Sequence, residues 1–70
     1  MKKTIDLFCD IVDNYGDIGV VYRLGKELYN RNYKVRIFVN KLNEVSKIIK
    51  GFNSSLPYQV HNGMEFFYFN

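Results

Sequence analysis

Apolar and polar positions repeat along the chain with two different periods, and the change of period divides it into strands and helices. Residues 4–9 alternate with the period of a strand, and residues 34–40 and 64–69 predict two further strands. Residues 18–31 and 41–50 instead repeat their apolar positions at helical spacing. The predicted order of elements is therefore βαβαβ.

The two predicted helices have apolar stripes and recognisable end signals. Asp17 and Asn40 stand immediately before them, where a side-chain N-cap is expected, and Gly51 follows the second helix at the C′ position. Residues 52–57 are predicted to be a loop, and residues 61–63 a turn. The two stripes consist of Ile18, Val21, Leu24 and Leu28, and of Leu42, Val45, Ile48 and Ile49.

Strands that are separated by helices predict a parallel sheet with right-handed crossovers, so the expected fold class is α/β. The first strand carries apolar side chains on both faces, Leu7 on one and Phe8 on the other, which favours burial on both sides. Seventy residues make at most one small domain with a marginal core. The last predicted strand is aromatic and prone to aggregation unless it is covered. We therefore expect the first part of a larger α/β domain.

Composition and charge exclude several classes of function. The net charge is +3, and the ten basic residues of the chain are scattered along it. Because they form no clustered basic patch in the sequence, no nucleic-acid partner is expected. A single cysteine, Cys9, and a single histidine, His61, support neither an internal disulfide nor a metal cluster. Asp6 and Asp10 interrupt the first apolar run, and no stretch reaches the roughly 20 apolar residues that span a membrane. We expect a soluble, cytoplasmic protein.

An acidic turn, residues 10–17, connects the first strand to the first helix. In open α/β sheets this position, at the carboxyl end of a strand, is where ligands bind. Gly16 and Gly19 would allow the close approach of a phosphate, but the G-x-G-x-x-G pattern is missing. Asp13 and Asp17 would also repel a phosphate. A Rossmann-type nucleotide-binding domain therefore remains only as an alternative.

The carboxylates of the turn permit two other interpretations. Asp13 and Asp17 stand at opposite ends of a tight turn, and a carboxylate at a helix N-terminus stays ionised. Such a pair is suited to binding a guanidinium or taking its proton. In the structural interpretation, Asp17 only caps the helix, while Asn14 and Gly16 fit a positive φ. The chain would then be a non-catalytic α/β module or a truncated fragment with no activity of its own.

Residues 5–28 resemble the opening of the protein-arginine rhamnosyltransferases that modify elongation factor P. That family begins with a strand ending in Phe-Cys, a turn D-N-[YF]-G-D-I-G-V, and a helix with an aromatic residue before Arg-Leu. The same turn occupies residues 13–20 of this chain, and Tyr22, Arg23 and Leu24 follow it. Tyr22 stands where the family commonly has tryptophan.

The resemblance implies a two-domain glycosyltransferase of the GT-B type. It would transfer L-rhamnose from dTDP-β-L-rhamnose to an arginine of elongation factor P, with inversion of the anomeric centre. Residues 1–70 would form part of the N-terminal, Rossmann-like domain, which receives the protein acceptor. The C-terminal domain that binds the nucleotide sugar is then absent from this chain, and we expect the chain alone to be inactive.

The resemblance also implies roles for individual residues of the turn. Asp17 matches the general base of the family, and Asp13 matches its assisting carboxylate. Asn14, Tyr15 and Gly16 would line the interdomain cleft beside the donor. The resemblance implies no metal and no cofactor other than the donor substrate dTDP-β-L-rhamnose.

Overall fold

A computed structural model describes residues 2–11 and 16–70, with the backbone alone for Gly16 and Asp17. These residues form an α/β fold with four strands and two helices. In chain order the elements are β1 (Thr4–Cys9), α1 (Gly16–Asn30), β2 (Lys34–Val39), α2 (Leu42–Ser46), β3 (Tyr58–His61) and β4 (Met64–Tyr68).

The four strands form one mixed sheet in the order β1-β2-β4-β3. Strands β1, β2 and β4 are parallel, as predicted, but β3 pairs antiparallel with β4. The prediction of a wholly parallel βαβαβ sheet is therefore wrong at β3. Asn62 and Gly63 both have positive φ, 52° and 81°, and make the two-residue turn that joins β3 to β4.

The pattern of β3 explains why the sequence did not reveal this strand. Its apolar side chains, Tyr58 and Val60, face solvent, whereas the polar Gln59 is buried. The Gln59 amide donates hydrogen bonds to the carbonyl oxygens of Asn53 and Leu56 and accepts one from the Asn53 N–H. Strand β3 thus buries a polar residue that hydrogen-bonds to the preceding loop, and it exposes its apolar residues. This pattern is the reverse of the usual alternation.

Helix α1 covers one face of the sheet, and a glycine sets how closely it packs. A side chain at Gly25 would begin 2.9 Å from the Met64 sulfur and 3.1 Å from Ile37 Cδ1. Leu24, which we predicted to lie in the apolar stripe, is instead 47% exposed. The helix therefore contacts the sheet through Ile18, Val21, Tyr22, Gly25 and Leu28.

Helix α2 is shorter than predicted and is not capped by Asn40. It spans Leu42–Ser46, its N-cap is Lys41, and no side chain caps it. The Ser46 hydroxyl donates to the Asn43 carbonyl oxygen at 2.7 Å and so competes with the helical pattern. The chain continues in turns to Gly51, whose φ is 84°. Ile49 and Phe52 are still buried in the core.

The opposite face of the sheet carries a row of aromatic rings, one from each strand. Phe8 stacks on Phe38 with ring centroids 4.6 Å apart, and Phe38 stacks on Phe67 at 4.9 Å. Tyr58 completes the row, 5.0 Å from Phe67. Since Phe8 is 66% exposed, the expectation that β1 is buried on both faces is wrong for the described residues.

Beside the aromatic row, an ion pair joins β1 to β2. Arg36 Nε and Nη2 donate to the two carboxylate oxygens of Asp6 at 2.7 and 2.8 Å, and this contact lowers the pKa of Asp6. The Arg36 guanidinium also lies 5.7 Å from the centroid of the Phe38 ring. A hydrogen bond from the Tyr58 hydroxyl to Glu65 raises the pKa of Tyr58.

Candidate active site at the carboxyl edge of the sheet

The predicted site residues lie at the junction of β1 and α1. Asp13, Asn14 and Tyr15 fall outside the described residues. Gly16 is the first residue of α1, so Asp17 belongs to the first turn of the helix and does not precede it. The prediction that Asp17 is the N-cap is therefore wrong, because α1 begins one residue earlier. The prediction that a helix follows the turn is confirmed.

Two buried isoleucines anchor the chain on either side of this turn. Ile11 is 2% exposed and follows β1, and Ile18 is fully buried near the start of α1. Both belong to the core cluster that also contains Cys9 and Val39. The core therefore fixes the positions at which the acidic turn leaves β1 and enters α1.

Asn40 connects the ends of β1 and β2. The register pairs Cys9 with Val39, which places the following residues, Asp10 and Asn40, beside each other at the carboxyl edge. Asn40 Oδ1 accepts a hydrogen bond from the Ile11 N–H at 2.8 Å, and Asn40 Nδ2 donates to Asp10 Oδ1 at 2.5 Å. Asn40 was predicted to cap α2, and this contact was not predicted. The strand register was the signal that could have revealed it.

Two shallow pockets flank this connection. One, of about 310 Å³, lies where β2 and β4 end and is lined by Asn40 together with residues of α2, Ser54 and Tyr68. The other, of about 320 Å³, lies between the end of β1 and α1 and includes Asp10 in its lining. The edge that carries the acidic turn is therefore concave on both sides of the Asp10–Asn40 contact.

The charge of this edge is negative next to the turn. Residues 10–17 contain three aspartates and no lysine or arginine. Carboxylates in this number favour a cationic group such as a guanidinium over a phosphate. Within the described part of the chain, no cluster of three or more His, Cys, Asp and Glu side chains is arranged to hold a metal. Neither described helix has the length and apolar character that crossing a membrane requires.

Comparison with known proteins identifies the family. A sequence model described as "Elongation-Factor P (EF-P) rhamnosyltransferase EarP" matches residues 5–70. The chain belongs to this family. The match includes the acidic turn and all four strands, so the resemblance carried by residues 13–20 is confirmed.

Three curated bacterial relatives of the chain are each named protein-arginine rhamnosyltransferase. The protein-arginine rhamnosyltransferase of Shewanella oneidensis is 45% identical over 60 residues, which are 84% of this chain and 15% of the relative. That of Pseudomonas putida is 39% identical over 66 residues, 93% of this chain and 18% of the relative. That of Pseudomonas aeruginosa is 36% identical over 61 residues, 86% of this chain and 16% of the relative.

The chain therefore spans between 15% and 18% of the length of these relatives. Family membership concerns the segment from β1 to β4, and the roles of Asp13 and Asp17 stay predictions. The geometry brings Asp10, Ile11 and Asn40 together at the carboxyl edge. The first half of α1 also lies beside this edge, since Val20 and Val21 line one pocket together with Asp10.

Proposed function

We propose that the chain is the acceptor-side part of a protein-arginine rhamnosyltransferase. The reaction transfers L-rhamnose from dTDP-β-L-rhamnose to an arginine of elongation factor P, with inversion of the anomeric centre. The observation that supports this proposal most strongly is the family match over residues 5–70, which includes the whole acidic turn. The segment belongs to the N-terminal, Rossmann-like domain of a cytoplasmic GT-B enzyme.

The proposed mechanism uses two carboxylates because a guanidinium is protonated near neutral pH and its nitrogens are poor nucleophiles. Asp13 binds the guanidinium and orients it. Asp17 accepts a proton from the attacking nitrogen as that nitrogen bonds to the anomeric carbon of rhamnose. The bond from this carbon to the phosphate oxygen breaks, and dTDP leaves with the electron pair.

The position of the turn supports these roles. Helix α1 begins at Gly16, so Asp17 belongs to the first turn of the helix, and the helix dipole favours ionised carboxylates at such positions. The reacting sugar carbon becomes oxocarbenium-like, and nearby negative charge stabilises it. Asn14, Tyr15 and Gly16 line the cleft beside the donor in this proposal.

A chimera tests the proposal directly. Residues 5–70 of this chain replace the matching segment of the Pseudomonas putida relative, and the mass of elongation factor P is followed after addition of dTDP-β-L-rhamnose. We expect the chimera to attach one deoxyhexose to an arginine. Asp17→Asn and Asp13→Asn should each lower kcat by about 100-fold or more, the usual contribution of a general base or its partner.

Asp6→Asn is the matched control, because Asp6 lies on β1 but pairs with Arg36 on the open face of the sheet. This variant should retain the kcat of the parent chimera. Parent-like rates in both Asp13→Asn and Asp17→Asn would exclude the two-carboxylate mechanism. An inactive, folded parent chimera would instead favour a non-catalytic α/β module.

A further inference from the structure

The contact between Asn40 and the end of β1 has a specific chemical requirement. The Ile11 N–H can only donate a hydrogen bond, and an ionised Asp10 carboxylate can only accept one. Asn40 meets both needs with one planar amide, whose oxygen faces Ile11 and whose nitrogen faces Asp10. A carboxylate at position 40 would repel Asp10, and a methyl group would leave both partners without this contact.

This contact lies at the stem of the acidic turn. Asp10 and Ile11 directly follow β1 and precede residues 12–15 of the turn, and α1 begins at Gly16. Ile11 is also held by the core, so its backbone N–H is fixed from two directions, by side-chain burial and by the amide of Asn40. The stem on the β1 side is therefore bound to the neighbouring strand β2.

The same contact separates Asp10 from the other two acids of the turn. One oxygen of its carboxylate accepts a hydrogen bond from Asn40. The sequence alone presents Asp10, Asp13 and Asp17 as three similar acids within eight residues. In the structure, Asp10 binds Asn40 and so helps to hold the end of β1 against the end of β2, which is a structural role.

We propose that Asn40 is a positioning residue for the acidic turn: by binding Asp10 and the Ile11 N–H together, it fixes the end of β1 from which the turn starts. This inference rests on the proposed function for its effect on the reaction. Asn40 touches neither substrate in this proposal and acts through the placement of Asp13 and Asp17. A misplacement of about 1 Å at a reacting group is enough to lower a rate by about 100-fold.

Amide hydrogen exchange of Ile11 in the 70-residue chain tests the contact itself. In the unmodified chain this amide should exchange slowly. Asn40→Ala should accelerate its exchange by about 10-fold, the effect of one lost hydrogen bond. Combining Asn40→Asp with Asp10→Asn should restore slow exchange, because the amide introduced at position 10 donates to the carboxylate introduced at position 40.

Steady-state kinetics of the active chimera test the effect on the reaction. We expect Asn40→Ala to lower kcat per folded enzyme by about 10- to 100-fold while the KM for elongation factor P stays within about twofold. Asn40→Asp alone should be equally impaired. The double variant that combines Asn40→Asp with Asp10→Asn should recover most of kcat. A residue that only stabilises the fold would change the amount of folded enzyme and leave this kcat unchanged.

Asn30→Ala is the control for the loss of an asparagine, because Asn30 is exposed at the end of α1. It should match the parent in both experiments. The proposal is overturned if the Ile11 amide is equally protected from hydrogen exchange in Asn40→Ala and in the unmodified chain. It is also overturned if the chimera with both Asn40→Asp and Asp10→Asn has a kcat as low as that of Asn40→Asp alone. An inactive parent chimera contradicts the proposed function and the kinetic role of Asn40, while the Ile11 exchange rates still decide whether the contact exists.

Discussion

The two faces of the sheet are built from different side chains and have different tasks. On the face that α1 covers, aliphatic side chains and Phe66 are almost fully buried, and Ile37 has no exposed surface. On the open face, three rings stack in a row, with the tilted ring of Tyr58 at its end, beside the Asp6–Arg36 ion pair. The open face is held together by contacts between neighbouring strands, whereas the covered face is held by burial.

This difference shows how a small sheet can keep its fold while one face stays accessible. Burial gains free energy in proportion to the apolar area removed from water, so the covered face should dominate stability. Ring stacking and an exposed ion pair contribute smaller amounts, and the ion pair depends on pH and salt. Substitutions at matched positions on the two faces therefore measure this difference.

The largest effect should come from the covered face. Ile37→Ala removes a fully buried side chain from the centre of the sheet and should lower the free energy of unfolding by about 3 kcal/mol. Urea unfolding of the chain, followed by circular dichroism, measures this loss. A variant that is already unfolded in the absence of urea would also indicate a large loss of stability. Ile48→Ala, at an exposed position, should change stability by less than about 0.5 kcal/mol. Equal losses in the two variants would refute a core centred on β2.

A smaller effect is expected from the neighbouring residue on the open face. Phe38→Ala removes the ring that stacks on both Phe8 and Phe67, and should lower the free energy of unfolding by about 1–2 kcal/mol. Phe38→Leu keeps apolar area but loses the stacking, so its loss should be about half as large. The comparison between the faces fails if Phe38→Ala is as destabilising as Ile37→Ala in the same urea titration.

The smallest effect should be the pH dependence of the ion pair. Hydrogen bonds from Arg36 lower the pKa of Asp6 below its ordinary value of 3.8. The stabilisation is therefore complete above about pH 4 and is lost as the pH falls through the lower pKa of the folded state. Asp6→Asn should destabilise the chain slightly at pH 7, and the difference from the parent should vanish in acid. Titration of the Asp6 carboxyl carbon by NMR would contradict this if its pKa were 3.8 or higher.

Periodic patterns predicted the elements that have one buried face. The alternation of Val35, Ile37 and Val39 predicted β2, and its bounds differ from the structure by one residue at most. Strand β3 could not be predicted in this way because its buried residue is Gln59, and a buried polar side chain inverts the pattern. Leu24 was misassigned because the neighbouring Gly25, which has no side chain to count as apolar, is the position that packs directly against the sheet.

The candidate site was predictable only in part, for a similar reason. The acidic turn and its family resemblance are local in sequence, so residues 13–20 revealed them directly. Asn40 lies 29 residues from Ile11 and looked like a helix cap. Its relation to the turn depends on how β1 and β2 align, so it becomes visible only when the register of the two strands is considered together.

The sequence by itself determined the α/β class, the extents of β1 and α1 to within about two residues, and the family through its acidic turn. The tertiary structure decided the antiparallel placement of β3, the open aromatic face, and the pairing of Asn40 with Asp10. The physical reason is one of range. Hydrophobic periodicity and turn motifs depend on neighbours in sequence, whereas strand order, register and side-chain partners depend on which distant segments pack together.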